Sequence, residues 1–277
     1  MLDLTAIILT YNEEKNIVHC INSIMGIAKR IVVIDSFSTD RTVELAKELG
    51  AEVYQHEFVN QAKQYIYGVG VSNIQTKWIF RIDADERVTP EAAEEIETIC
   101  RENENTDVNG IVVRFKVSFM GKELKHGGYY PFCKLLVYKN GKGYMEDRCM
   151  DEHILLSEGR SVELKNVSLH CDYKDLTAWV DKHNKYATRE KEAYFESLSK
   201  LEIAEGLSRR AKIKRFLKVK IYYKLPLGLR AHLYYLYRYY FKFGFLDGKE
   251  GKIFSFMQAY WYRYLVDAKI YEERHCK

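Results

Sequence analysis

A chain of 277 residues that is 47% apolar is long enough for one large domain, or for a domain with an appendage, and its composition is that of a folded protein and excludes a wholly disordered one. The net charge of +4 hides a balance of −6 over residues 1–200 and +10 over residues 201–277, which excludes a single kind of partner for both parts. Six cysteines, Cys20, Cys100, Cys133, Cys149, Cys171 and Cys276, stand far apart with no C-x-x-C pair, which argues against a zinc cluster or a disulfide framework and for reduced thiols.

The opening, "MLDLTAIILTYNEE", has no basic leading region and no small-residue cleavage site, so it reads as a first strand and not as a signal peptide. Four strand-then-helix units follow. "LTAIILT" (4–10) precedes a helical stretch from Glu13 to Met25, and "RIVVID" (30–35) precedes "TDRTVELAKELG". "AEVYQ" (51–55) precedes a helix near 60–72, and "KWIFRID" (77–83) precedes "TPEAAEEIETICRE", where Thr89 is suited to cap the helix and Pro90 to its first position. This alternation predicts an α/β fold with a mostly parallel sheet and helices on both faces, and such sheets bind ligands at the carboxyl ends of their strands. Three polar clusters fall at those ends: Thr10-Tyr11-Asn12-Glu13, Asp35, and Asp83-x-Asp85-Glu86. One such cluster alone is ordinary loop polarity, whereas their recurrence on one edge points to a site. From 110 to 170 the segments turn β-rich, with Gly-containing turns that suggest an antiparallel extension of the sheet. Residues 175–205 then read as a long charged amphipathic helix.

"RIDADER" (81–87) crowds Asp83, Asp85 and Glu86 behind an apolar run. Carboxylates this close repel, and one takes up a proton unless positive charge sits among them. Mg²⁺ or Mn²⁺ supplies such charge, because both prefer oxygen ligands and are commonly held by one or two carboxylates with a substrate's phosphates completing the shell. The bland alternative is a solvated loop whose acids complement the helix that follows.

In order and in spacing, "LTAIILTYNEEKNI", "VVIDSFSTDRTVELA" and "WIFRIDADERVTPE" resemble the family 2 glycosyltransferases, strongly over about the first 100 residues and more loosely over the next 70. The resemblance implies a GT-A fold and a nucleotide-activated sugar as donor. It assigns Thr10, Tyr11 and Glu13 to the pocket for base and ribose, and Asp35 to the base, where a carboxylate suits a ring N–H such as that of uracil. It places Asp83, with Ala84, near the ribose and metal, and makes Asp85 the direct metal ligand. Ser36 and Arg41 depart from the family's usual "DDGSTDGT", so that loop differs in detail. Inverting transfer needs a base for the acceptor hydroxyl. In the branch resembling lipopolysaccharide-core and capsular sugar transferases, a His-Glu or Asp-Glu pair opens a strand where this chain has Asp151-Glu152, which implies Glu152 as base with Asp151 second; a solvated strand entry is the other reading. His170 is a further candidate metal ligand, or a structural histidine. Lys134 and the run His126-Gly127-Gly128-Tyr129 are candidates for the acceptor side, the glycines being equally explained as turn residues.

The last block differs in character. Residues 206–246 hold no Asp or Glu and eleven Lys or Arg, and half of the 22 tyrosines lie beyond residue 200. On a helix starting near Gly228, Leu229, Leu233, Leu236, Tyr237, Tyr240 and Phe241 share one face, and Ile253, Phe256, Met257, Tyr260, Trp261, Tyr264 and Leu265 share another. No apolar run reaches the roughly 18 residues that a membrane span requires. A basic, aromatic surface of this kind suits reversible attachment to an anionic membrane, each Lys or Arg adding about 1 kcal/mol; a helical hairpin packed on the core or on a second copy is the alternative. No nucleic-acid reading module accompanies the charge.

The expectation is therefore a catalytic domain over 1–200 and a basic helical region over 201–277. The enzyme moves a sugar, one per encounter since the Q-x-x-R-W motif of processive synthases is missing, from a UDP-type donor to a saccharide, with Mg²⁺ or Mn²⁺. Its acceptor is expected to be lipid-linked and its place the cytoplasmic face of the cell membrane. A sugar nucleotidyltransferase is the first rival, although Thr10-Tyr11-Asn12-Glu13 is the wrong chemistry for its Gly-rich phosphate loop. An inert membrane-bound scaffold with the same fold is the second, and the retained carboxylates argue against it.

Overall fold

The computed structural model describes residues 1–148, 150, 152–199 and 209–276. In chain order the first elements are β1 (Leu2–Thr10), α1 (Ile17–Ile24), β2 (Ala28–Asp35), α2 (Thr42–Glu48), β3 (Glu52–Gln55), α3 (Gln61–Val71), β4 (Trp78–Asp83), β5 (Glu86–Arg87) and α4 (Pro90–Glu102). Then come β6 (Val108–Phe119), β7 (Lys122–Leu124), β8 (Phe132–Lys139), β9 (Gly143–Met145), β10 (Ile154–Leu156) and β11 (Arg160–Cys171), and after them α5 (Leu176–Ser199), α6 (Arg209–Lys220), α7 (Leu229–Leu236), α8 (Gly248–Phe254) and α9 (Tyr262–His275).

The main sheet runs β3-β2-β1-β4-β8-β6-β11-β5. Its first four strands are parallel, as the β-then-α alternation predicts, and β8 is antiparallel to both β4 and β6. The expected antiparallel extension holds only that far, because β11 lies parallel to β6. Residues 120–159 separate those two strands and carry β8 and the β9–β10 hairpin, so the chain returns to the far side of β6 in the same direction.

Period-two alternation in the strands divides the core between the faces. Leu4, Ala6 and Ile8 of β1 and Val33 of β2 pack with Ile17, Ile21 and Ile24 of α1, Ala46 of α2, and Ala92 and Ile96 of α4. On the other face Ile7, Val32 and Ile34 pack with Ala62 and Tyr65 of α3, and with Met145 and Ile154 of the hairpin. Each such fully buried aliphatic side chain contributes about 1.5–3 kcal/mol. Helix α3 approaches closely because of Gly68, where a Cβ would lie 2.6 Å from Ile34 Cγ1. Thr89 caps α4 as expected, its side chain accepting from the Ala92 amide, with Pro90 in the first turn.

The chain divides into two units. One comprises Met1–Ser118, Pro131–Arg148 and Glu152–Tyr173, and the other joins Phe119–Tyr130 to the helices from Lys174 onward. Helix α5, which the expected boundary at 200 assigns to the first part, belongs to the second, where Ala187 and Tyr194 pack against Tyr262, Val266 and Ile270 of α9. The end of the long helix expected over 200–205 lies outside the described residues.

Candidate active site

Register in the parallel sheet sets the first part of the site. Thr10 stands opposite Asp35 and Leu9 opposite Asp83, so the ends of β1, β2 and β4 align across the sheet. The wholly buried Asp35 carboxylate accepts from Thr10 Oγ1 (3.0 Å) and the Ser38 hydroxyl on one oxygen, and from the Ser38 amide (2.9 Å) and Gln55 Nε2 (3.2 Å) on the other. Four donors hold it in place, and Asp35 thereby ties together Thr10, Ser38 and Gln55 at the ends of β1, β2 and β3. The loops after β1 and β2 are sewn together in the same way. The Asn12 amide donates to Ser38 Oγ and the Asn12 side chain accepts from the Thr39 amide, both at 2.8 Å, while the Glu13 amide donates to Thr42 Oγ1 at 2.7 Å. Asn12 has φ +52, a conformation asparagine tolerates better than most residues. The Glu13 side chain accepts from Asn16 Nδ2, and Tyr11 is about half exposed at the rim.

The carboxylates of "RIDADER" resolve into two sets. Alternation puts Arg81 and Asp83 on the same face of β4, with Arg81 Nη2 3.1 Å from Asp83 Oδ1. Lys134, from β8, places its ammonium 3.0 Å from Asp83 Oδ2 and 2.7 Å from Glu86 Oε1. The other Glu86 oxygen accepts from the Asp83 amide. Where the sequence argument called on a divalent cation, the protein's own cations neutralise two of the three acids. Burial works against the charged form of Asp83, but Arg81 and Lys134 outweigh it and bring its pKa down to about 2. Burial likewise opposes charge on Lys134, yet Asp83 and Glu86 raise its pKa. Glu86, wholly buried, is pushed up by that burial against the pull of Lys134.

Asp85 makes the second set with His170. Its backbone is clamped, the carbonyl accepting from Arg87 Nη1 and from the Cys171 amide, both at 2.9 Å, because β5 pairs with β11 and sets His170 opposite Glu86. Asp85 Oδ2 and His170 Nε2 are 3.8 Å apart. Ligand bonds of about 2.1 Å from one cation span that gap; the carboxylate oxygen suits Mn²⁺ or Mg²⁺, and the imidazole nitrogen favours Mn²⁺ of the two. Among the described residues no group of three or more His, Cys, Asp or Glu side chains is gathered for a metal, so this pair fits a cation whose remaining ligands come from substrate and water. Asp83, with both oxygens engaged, and the buried Ala84 form the adjacent wall.

Glu152 joins the same neighbourhood. Burial opposes the charge of Arg81, while Asp83, Glu152 and Glu86 favour it, in that order, so the Glu152 carboxylate acts on Arg81 through space. Asp151 lies outside the described residues. Of the acceptor-side candidates, Lys134 belongs to the first unit, beside Asp83 and Glu86, and His126 belongs to the second, its Nδ1 2.7 Å from Asp247 Oδ1.

Sequence reasoning missed three residues that hold the site together. Arg81 is 5% exposed in the middle of an apolar strand, and a charged residue in "WIFRID" is itself the signal. Asn16, wholly buried, donates to Glu13 and Asp172 and accepts from Arg87, and Arg87 also donates to the Cys171 carbonyl at 2.6 Å. Their partners stand up to 157 positions away, the Tyr173 amide donating to Asn16 Oδ1, and no local pattern marks them.

The profile described as "Glycosyl transferase family 2" matches residues 5–151. An uncharacterized glycosyltransferase of Rickettsia typhi is 30% identical over 142 residues, covering 51% of this chain and 48% of its own length. The glycosyltransferase SunS of Bacillus subtilis is 29% identical over 124 residues, or 43% of this chain and 28% of its own length. The chain thus spans about half the length of these curated relatives, or less. Among solved structures, the mannosyltransferase PcManGT from Pyrobaculum calidifontis, crystallised with GDP-Man and Mn²⁺, aligns over 99% of this chain and 88% of its own with a TM-score of 0.56 at 14% identity, which speaks for a shared fold.

Proposed function

The chain belongs to glycosyl transferase family 2, and on that premise we propose that it transfers a sugar from a nucleotide diphosphate donor to a hydroxyl of a saccharide acceptor, with inversion and one addition per encounter. The reading is supported by the alignment of Asp35 and Asp83 at neighbouring strand ends, with the Asp85–His170 pair in the loop that follows Asp83 and the Glu152 carboxylate acting on Arg81 through space. Asp35 orients the wall against which the base lies, and a UDP-type donor is our assignment. Asp85 and His170, beside Asp83, would hold Mg²⁺ or Mn²⁺, which supplies positive charge to the departing diphosphate. Glu152 takes the proton from the attacking hydroxyl as that oxygen forms its bond to the anomeric carbon, and Asp151 is the alternate base. Arg81 and Lys134 keep Asp83 ionised and fixed beside the donor, which lets the site bind without first reorganising. The Mn²⁺ in the Pyrobaculum mannosyltransferase supports the metal, within the limits of a shared fold.

The first unit is the catalytic part of this proposal. The second is read as the part that meets a lipid-linked acceptor at an anionic membrane on the cytoplasmic side. Among the described residues no helix is long and apolar enough to cross a membrane, so attachment would be peripheral.

Calorimetric titration with UDP, GDP and dTDP, each with and without Mn²⁺, tests the donor site. Mn²⁺-dependent binding with a preference for UDP is expected, and Asp85→Asn should abolish it while the thermal transition stays in place. No binding of any of the three by the folded protein would overturn the proposal.

A further inference from the structure

Between α7 and α8 the chain makes a short tip, Phe241-Lys242-Phe243-Gly244-Phe245-Leu246. Phe241 is 74% exposed, Leu246 57%, Phe243 55% and Phe245 44%. Single exposed apolar side chains are ordinary, but four in six consecutive residues are not. Phe243 also has φ +58, a left-handed conformation that is costly for a bulky residue and is kept only where surrounding structure enforces it.

That enforcement is visible beneath the tip. A Cβ on Gly244 would lie 2.9 Å from the Arg238 carbonyl oxygen and 3.1 Å from Ser255 Oγ, so only glycine permits this close seating. The Lys242 carbonyl accepts from the Gly127 amide at 2.8 Å, and the Leu246 amide donates to the Phe243 carbonyl at 3.0 Å. Buried Asp247 accepts from the His126 amide (2.9 Å) and pairs with the His126 ring. The base is therefore held firmly while the aromatic rings stand in water. From Phe245, ring contacts continue through Tyr239 and Tyr235 to Phe256, extending the aromatic surface along α7 and the turn after α8. Exposed Lys242, Lys249 and Lys252 lie in and beside the tip, where the acids are Asp247, buried against His126, and Glu250, paired with Lys122, and no acidic residue occurs from 206 to 246.

Resting on the membrane reading above, we infer that residues 241–246 are a preformed wedge that inserts into an anionic lipid bilayer. Phenylalanine rings enter the acyl boundary, tyrosines behind them suit the headgroup depth, and the lysines meet lipid phosphates. Charge complementarity selects lipid as the occupant, since a second copy would present the same cations. Holding the rings out in advance means that insertion orders few new groups, which favours binding by a small apolar area.

Flotation of the full chain with vesicles of phosphatidylcholine alone, and with phosphatidylglycerol added, tests this. Wild type should float with the anionic vesicles and lose most of that binding at high salt. Phe241→Ser combined with Phe243→Asn, the latter chosen because asparagine accepts a positive φ, should lower partition tenfold or more with the thermal transition and UDP titration unchanged. Tyr271→Ser, equally exposed on α9, should partition like wild type. Undiminished flotation of the double variant would overturn the wedge, as would failure of wild type to float. So would sedimentation showing a dimer that the double variant dissolves without any vesicle binding, which would assign the face to a second copy. Nucleotide binding is read separately, so loss of the donor-site proposal and loss of the wedge give different results.

Discussion

In the first unit the charge cluster of Arg81, Asp83, Glu86 and Lys134 sits at strand ends that are still one-fifth open, Asp83 and the Lys134 side chain being 20% and 21% exposed. In the second unit, acids and bases are paired and closed off by rings. Arg230 is 1% exposed, donates through Nε to Asp267 at 2.6 Å, and has the rings of Tyr194, Tyr222 and Tyr223 within 5.1 to 5.4 Å of its guanidinium carbon. Buried Glu190 there draws in Lys218, Arg263 and the hydroxyls of Tyr223 and Tyr262. Charge that borders solvent can exchange a protein partner for a ligand. Charge sealed under tyrosines has nothing to exchange with, and its role is to fix how the helices meet.

If that contrast is right, Arg230→Met should destabilise most, by about 3–5 kcal/mol in urea unfolding, because Asp267 is left charged and buried, while affinity for nucleotide in the folded protein stays unchanged. Altered affinity would break the contrast. Glu152→Gln should do the reverse, lowering turnover about 100-fold with unchanged stability and nucleotide affinity; near-normal turnover would pass the base role to Asp151. Lys134→Met should move both readouts. We expect a loss of about 2–3 kcal/mol, below the figure for a sealed pair because water reaches the site, together with weaker Mn²⁺-dependent nucleotide binding, and Glu86→Gln should restore part of the stability.

The fourth expectation concerns pH. His183 stacks on Trp179 and is held near a pKa of about 4, first by burial, against the pull of its hydrogen bond to the Trp179 carbonyl. The unfolded chain binds that proton at about pH 6.5. Its contribution is therefore full above pH 6.5 and declines as pH falls toward 4, by about 2 kcal/mol at pH 5. His183→Phe should flatten that part of the stability profile, and an unchanged slope would remove the assignment.

How far the sequence could be read follows from the range of each signal. The four strand–helix units, the cap at Thr89 and the alignment of Thr10, Asp35 and Asp83 rest on local periodicity and on parallel register, and both were legible. The parallel pairing of β6 with β11 was not, because Gly-containing turns describe which segments bend and are silent on which edge a distant strand joins. The same limit hid Lys134: nothing in "PFCKLLVYK" says that its ammonium will meet Asp83 and Glu86, about fifty positions earlier. Opposite charges were expected among the acids, and only the tertiary structure names them. In the tail, composition and helical faces were visible, whereas the left-handed turn at Phe243 has no residue-level signature, since phenylalanine rarely adopts it.

The pairing of β5 with β11 bears on the order in which the chain acquires its parts. The Asp85 loop is fastened by the Cys171 amide and by an Arg87 bond to the Cys171 carbonyl that closes over 84 positions. The β1–β4 layer can form from the first eighty or so residues, but the loop that carries Asp85 has no strand to lean on until β11 has emerged and docked. Contacts of such long sequence separation form late and slowly. The acidic loop is therefore fastened only once β11 docks, so a chain clipped before β11 is expected to keep the β1–β4 layer and lose the bonds that hold the Asp85 loop.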